Sequence, residues 1–179
     1  MKKLLYTLFF VLVGTLMAQA QDEAISNENP LDKLKFIIGE WEGEGWMMTQ
    51  TGKQSTKIKE TASCKAGGTV LVLEGLGTKL DTITNEEKVV HDAFGVIYLD
   101  PRTNTLALHA YKDGYVNESN IEFINDKKIR WFLDIPNGSK IRFTADYSTE
   151  NKWVEIGEFS RDGSNWVQFL GMELTKTAN

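Results

Sequence analysis

Ile129-Arg130-Trp131-Phe132-Leu133-Asp134-Ile135-Pro136-Asn137-Gly138-Ser139-Lys140-Ile141-Arg142-Phe143-Thr144-Ala145 is the stretch that decides the fold class. Apolar and polar residues alternate on both sides of Pro136-Asn137-Gly138, the pattern of two strands joined by a tight turn. Folding there brings Ile129, Trp131 and Leu133 to the side of Ile141, Phe143 and Ala145, and leaves Arg130, Asp134, Lys140, Arg142 and Thr144 on the other. Burial of each large apolar side chain is worth roughly 1.5–3 kcal/mol, so the apolar side is read as interior. A slip of one residue would turn the whole set to water. With Glu150-Asn151 as the next turn, Tyr147, Val154 and Ile156 join the interior, and Glu155 faces outward as a cross-strand partner of Arg142.

The same grammar runs outward along the chain. Turn signals stand at Thr51-Gly52, Ala66-Gly67-Gly68, Asn85-Glu86, Asp100-Pro101, Asp113-Gly114, Asn125-Asp126, Pro136-Asn137-Gly138, Glu150-Asn151 and Asp162-Gly163. Short alternating runs lie between them, with no long helical period. The turns predict a meander of about ten strands, and such a meander closes most simply into an up-and-down antiparallel β-barrel. Before it, Asn29-Pro30 is a helix start, with Asn as cap and Pro at the first position. Leu31, Leu34 and Ile38 lie on one face of the short helix predicted to follow, and Gly39 ends it.

The first twenty residues read as an export leader. Lys2 and Lys3 precede the apolar run Leu4–Leu16, and Ala18-Gln19-Ala20 is a small-x-small cleavage pattern. The run is shorter than the about 20 residues a membrane span needs. The expected organisation is therefore a signal peptide over 1–20, a flexible polar tail over 21–29, and one barrel domain over 30–179. The destination is periplasmic or secreted, with no membrane insertion after cleavage.

The formal charge is −5, and the leader carries two of the lysines and no acid. An acidic chain repels phosphate backbones, so nucleic acid is not an expected partner. Cys64 is the only cysteine, which excludes an internal disulfide and thiolate zinc sites. Stability must come from the core.

In Trp41-Glu42-Gly43-Glu44-Gly45-Trp46 the parity that turns Glu42 and Glu44 to water turns Trp41, Gly43 and Gly45 inward. Inward glycines either leave empty volume where a packed barrel has Val or Leu, or permit sharp strand curvature. Both readings stand at this level.

These residues carry a family resemblance. Phe36-Ile37-Ile38-Gly39-Glu40-Trp41-Glu42-Gly43-Glu44-Gly45 resembles the Gly-x-Trp opening of lipocalin-like barrels, and more closely that of nitrobindin-type barrels. His91-Asp92-Ala93-Phe94-Gly95-Val96-Ile97-Tyr98, the segment from Ile135 to Thr144, and Glu155-Ile156-Gly157-Glu158-Phe159-Ser160-Arg161-Asp162-Gly163 resemble a bacterial domain family of unassigned function in the lipocalin-like (calycin) group. The resemblance spans nearly all of residues 31–176 and implies fold more than activity. It implies that Trp41 closes one barrel end. Lys176 stands near the end of the last strand where lipocalins often place an Arg over that Trp, and a Lys there can make a cation–π contact. Nitrobindin-type barrels hold haem through a His on a late strand. No His follows His109, so that ligand is missing, and no cofactor or metal is expected.

Pairing across the Asp100-to-Asn104 loop is expected to set His109 near Gly95 and Tyr111 near Ala93, on one face with His91. The two histidines are then roughly 13 Å apart at about 3.3 Å per residue, too far to share a metal. Glu60 and Glu158 are possible inward carboxylates, with strand ends in water as the alternative, and Glu74 shares the ambiguity. Trp41, Tyr98, Trp131, Phe143 and Tyr147 form the aromatic set of a pocket or of a packed core. The candidate ligand-binding residues are Trp41, Tyr98, His109, Tyr111, Trp131 and Phe143.

The function expected from these features is non-catalytic binding of a small apolar molecule outside the cytoplasm. The alternatives are an isomerase- or hydratase-like enzyme using His109 or an inward Glu, nitrobindin-type haem binding, and an envelope interaction module presenting Trp46, Met47 or Trp166. There is no Gly-x-Ser-x-Gly, phosphate loop or dinucleotide fingerprint.

Overall fold

The computed structural model describes residues 29–178; the expected leader, and all of the expected tail but Asn29, lie outside them. Asn29 belongs to the fold. Its side chain caps a 3-10 helix, Pro30–Ile37, by accepting from the Leu31 N–H at 3.1 Å, and its amide donates to the Gly68 carbonyl at 2.6 Å. A 3-10 helix repeats every three residues, so Leu31, Leu34 and Ile37 form the buried row. Ile38, predicted for that row from the α-helical period, ends the helix instead. Gly39 follows at φ +134°, a conformation L side chains rarely adopt, and its place against the Ala178 carbonyl leaves no room for a Cβ.

Eleven strands come next: β1 Gly39–Thr49, β2 Gly52–Lys65, β3 Val70–Leu80, β4 Glu87–Asp100, β5 Thr105–Lys112, β6 Tyr115–Asn120, β7 Glu122–Asn125, β8 Lys128–Asp134, β9 Lys140–Asp146, β10 Lys152–Ser160 and β11 Val167–Ala178. All pairs are antiparallel in one sheet, ordered β6-β5-β4-β3-β2-β1-β11-β10-β9-β8-β7. β1 pairs with both β2 and β11, so the first and last strands meet at the centre of the sheet order and the curled sheet forms a nearly closed barrel. The predicted class holds, and all nine turns lie where the Gly, Asn and Asp clusters place them.

The eleventh strand arises from a break that has no turn signature. The chain from Tyr115 runs beside β5 as far as Asn120; at Ile121, whose N–H donates to the Leu106 carbonyl, it changes partner and β7 pairs with β8. β6 and β8 close the circle side by side without a backbone ladder. The Phe132 N–H donates to the Ser119 hydroxyl across that seam at 3.1 Å.

Two registers differ by one residue from the sequence expectation. Asn104 and Asn151 adopt left-handed conformations at φ 56°, and each lengthens its connection by one residue. Glu155, not Ile156, therefore comes opposite Ala145, and Val154 and Ile156 face outward, Val154 with 42% of its surface exposed. Arg142 pairs with Glu158 instead, Nε to Oε2 at 2.6 Å and Nη2 to Oε1 at 3.1 Å, with Trp166 stacked over the guanidinium at 4.2 Å. Across the other loop His109 pairs with Val96 and Tyr111 with Phe94, so both take the outward parity. The hairpin that opened the reading holds as predicted: Ile129 faces Ala145, Trp131 faces Phe143 and Leu133 faces Ile141.

One barrel end is shut. The helix lays Leu34 and Ile37 across it, and Trp41, 2% exposed, donates its indole N–H to the Ile37 carbonyl at 2.8 Å. Tyr147 and Trp153 pack on Trp41 with ring centroids 5.7 and 5.9 Å away, and the Lys176 ammonium lies 5.3 Å from its ring. No helix among the described residues is long and apolar enough to cross a membrane.

Candidate functional site

The barrel interior holds two adjoining lobes. The smaller, about 160 Å³, sits against the shut end under Ile37, Tyr147 and Trp153. The larger, about 360 Å³, extends toward the other end, past Trp131, Phe143 and Phe169, to Met47, Tyr111 and Lys112. Both are bordered by Glu60, Ala93, Ala110, Trp131 and Glu155, which form a common waist. Two alanines on β4 and β5 make the space there. The larger lobe falls within the about 300–1,000 Å³ typical of small-molecule pockets.

The first-strand glycines divide between their two readings. A Cβ on Gly43 would run into the Glu173 carbonyl and the Leu174 Cα, so that glycine permits close approach of β11. Gly45 borders the larger lobe, with the Ile58 side chain filling its own missing volume.

Across the sheet from Glu60 stands Gly75, and this glycine makes the site. A Cβ there would lie 2.6 Å from Glu60 Oε1, so the carboxyl occupies the space that a side chain on β3 would take. Burial among apolar groups pushes the Glu60 carboxyl up to about 7. Glu155 approaches the waist from β10, and burial, reinforced by the charge of Glu60, pushes it up to about 8 against the opposing pull of the Trp153 indole N–H, 3.3 Å from Oε2. Burial, then the charges of Glu155 and Glu60, raises the Tyr147 hydroxyl well above its ordinary value. His91 lines the larger lobe from β4, opposite Gly77, and burial, followed by the Lys112 charge, lowers its pKa. Near neutral pH Glu155 is mainly protonated, Glu60 is near its midpoint and the His91 imidazole is neutral: groups able to donate, accept or move a proton.

Of the residues predicted for the site, Trp131 and Phe143 line the larger lobe, their rings stacked at 5.4 Å. Trp41 bounds neither lobe and serves as the plug of the shut end. Tyr98 and His109 lie together on the outer surface, hydroxyl to Nε2 at 3.2 Å, with Glu118 3.9 Å from that nitrogen. Tyr111 has the same outward parity and touches the larger lobe at the end of β5. His91 and His109 thus face opposite sides of the wall, where a shared face was expected. Glu158, the other suggested interior carboxylate, is bound to Arg142 outside, and Glu74 is exposed. Sequence reasoning missed Glu155, assigned to the outside through the one-residue slip. The usable signal for Glu60 was its pairing with a glycine in Leu73-Glu74-Gly75.

No protein-family model matches the chain, and no curated protein matches it. Solved structures do. Rv2717c from M. tuberculosis matches with a TM-score of 0.57 over 82% of this chain and 96% of its own, at 12% identity. The S-type phycobiliprotein lyase CPES from Guillardia theta matches with a TM-score of 0.55 over 84% of this chain and 94% of its own, at 9% identity. Both are lipocalin-like calycin barrels.

The fold is lipocalin-like.

At such identities the likeness reaches the fold and stops there. The haem of nitrobindin-type barrels finds no counterpart for its late-strand ligand. β8 to β11 carry no histidine, and the one histidine lining the interior, His91, belongs to β4.

Proposed function

We propose that this barrel binds a small, largely apolar molecule in its interior, as an exported, non-catalytic protein of the lipocalin-like bacterial group its sequence resembles, acting in the periplasm or outside the cell. The observation that carries the reading is the larger lobe: about 360 Å³ walled by Trp131, Phe143, Phe169 and aliphatic side chains, and continuous with a carboxyl-bearing waist. A fold shared with a phycobiliprotein lyase is compatible with handling a small molecule. Titration with the neutral fluorescent probe N-phenyl-1-naphthylamine tests it. Saturable one-site binding is expected, lost on Ala110→Phe, which fills the waist, and unchanged by His109→Ala on the outer surface. Failure of the probe to bind, together with no small molecule retained in native mass spectra of protein from its own host, overturns the reading.

A second reading is favoured by one observation. Glu60 and Glu155, interior and carrying raised pKa values, suit acid–base catalysis of the isomerase or hydratase type. His109 faces away from the cavity and has no part in it.

A further inference from the structure

The two waist carboxyls carry a cost that the barrel's own side chains do not offset. No hydrogen bond fixes Glu60 among the described residues, and its oxygens are directed at the space over Gly75. Glu155 has only the indole N–H of Trp153, at 3.3 Å. Besides these two, the ionisable groups bordering the lobes are Tyr147, His91, Tyr111 and Lys112. Lys112, the one permanent cation among them, lies at the end of β5 and is bridged to Asp113. Glu60 and Glu155 are half-buried and border the lobes; a carboxyl held in an apolar-walled cavity with few partners is still costly, and apolar residues of similar volume would have packed the waist at no such cost.

We infer that the ligand is an organic cation, an apolar body bearing a protonated amine, with its ammonium seated at the waist between Glu60 and Glu155. The inference rests on the proposed binding role and specifies its ligand class. An ammonium supplies three N–H donors and a full positive charge to oxygens that otherwise have neither. The stacked rings of Trp131 and Phe143, with Phe169 edge-on to Phe143 at 6.2 Å, offer π faces beside the same waist, which also favours a cation. Without a counter-charge the carboxyls favour the protonated form, Glu60 up to about pH 7 and Glu155 up to about pH 8. Binding of the ammonium therefore ionises a carboxyl, and the proton leaves to the buffer.

Calorimetry with 4-phenylbutylamine, 4-phenylbutanol and 4-phenylbutyrate, which share one apolar body, separates the possibilities. The amine is expected to bind at least about tenfold more tightly than the alcohol, since a charge-assisted hydrogen bond exceeds a neutral one. Between pH 6 and 8 its affinity is expected to rise about tenfold, because the ionised, binding-competent fraction grows by that factor around a carboxyl pKa near 7. Proton release should appear as a dependence on buffer ionisation enthalpy. Glu155→Gln should weaken the amine about tenfold and leave the alcohol within about twofold. Alcohol or carboxylate binding as tightly as the amine, or amine affinity falling as pH rises, overturns the inference and leaves the binding role standing. If none of the three compounds binds the inference fails, and if the naphthylamine probe is also refused and native mass spectra show no retained molecule the binding role fails with it. Should the variant not fold, the three ligands on the unaltered protein still decide.

Discussion

Replacing Glu155 by Gln removes a group that ionises with difficulty inside the barrel and keeps its shape. The sign of the effect follows from proton linkage. A carboxyl that ionises near 4.5 when unfolded and near 8 when folded holds its proton longer in the native state. Its contribution is fully present below pH 4.5 and is lost as pH rises through about 8. A tenfold change in proton affinity is worth about 1.4 kcal/mol, so the interval between those two values bounds the loss at about 5 kcal/mol. Contact with the cavity relieves part of this, leaving roughly 2–3 kcal/mol. For a domain of this size that is a Tm difference of about 5–10 °C. Ligand-free Glu155→Gln is therefore expected to match the unaltered protein at pH 5, with the Gln side-chain oxygen still accepting from Trp153, and to exceed it by about that margin at pH 9. Thermal unfolding followed by near-ultraviolet circular dichroism at the two pH values reads it directly. A difference independent of pH, or a variant less stable at pH 9, would show that Glu155 is not held in a dry interior.

Two further outcomes test other parts of the architecture. Trp41→Ala removes the plug, its hydrogen bond to Ile37 and its edge contacts with Tyr147 and Trp153; urea unfolding should register a loss of about 3–5 kcal/mol, and a loss below about 1 kcal/mol would contradict its structural role. Gly75→Ala forces a methyl against the Glu60 carboxyl; it should cost about 1–3 kcal/mol alone and much less alongside Glu60→Ala, whereas equal costs in both backgrounds would refute the contact.

Much of this fold could be read before any coordinates, and the reason is local. Turns are built from residues that tolerate positive φ, and Gly114, Gly138, Gly163 and Asn85 announce themselves in the sequence. The face of the Trp131–Phe143 hairpin was legible because alternation runs through both sides of one short turn with a single interruption at Phe132. Register across longer connections was not, since a left-handed Asn adds a residue without changing the composition. Asn104 and Asn151 each did so, and their slips carried His109 out of the cavity and Glu155 into it. The partner change at Ile121 escaped notice because a strand that swaps neighbours keeps its alternation. The waist carboxyls were half legible. Glu60 was suspected on parity, but its accommodation by Gly75 depends on β2 and β3 lying in one particular register.

Where β6 meets β8, the hoop of main-chain bonding is left unfastened. In a fully laced cylinder, widening at any point must break a ladder, and the girth is fixed. Here β6 and β8 meet through side-chain contact, and the wall is tied across the join only where the chain itself passes from β6 to β7 at Ile121. The seam is thus the part of the wall whose local opening breaks the fewest main-chain bonds.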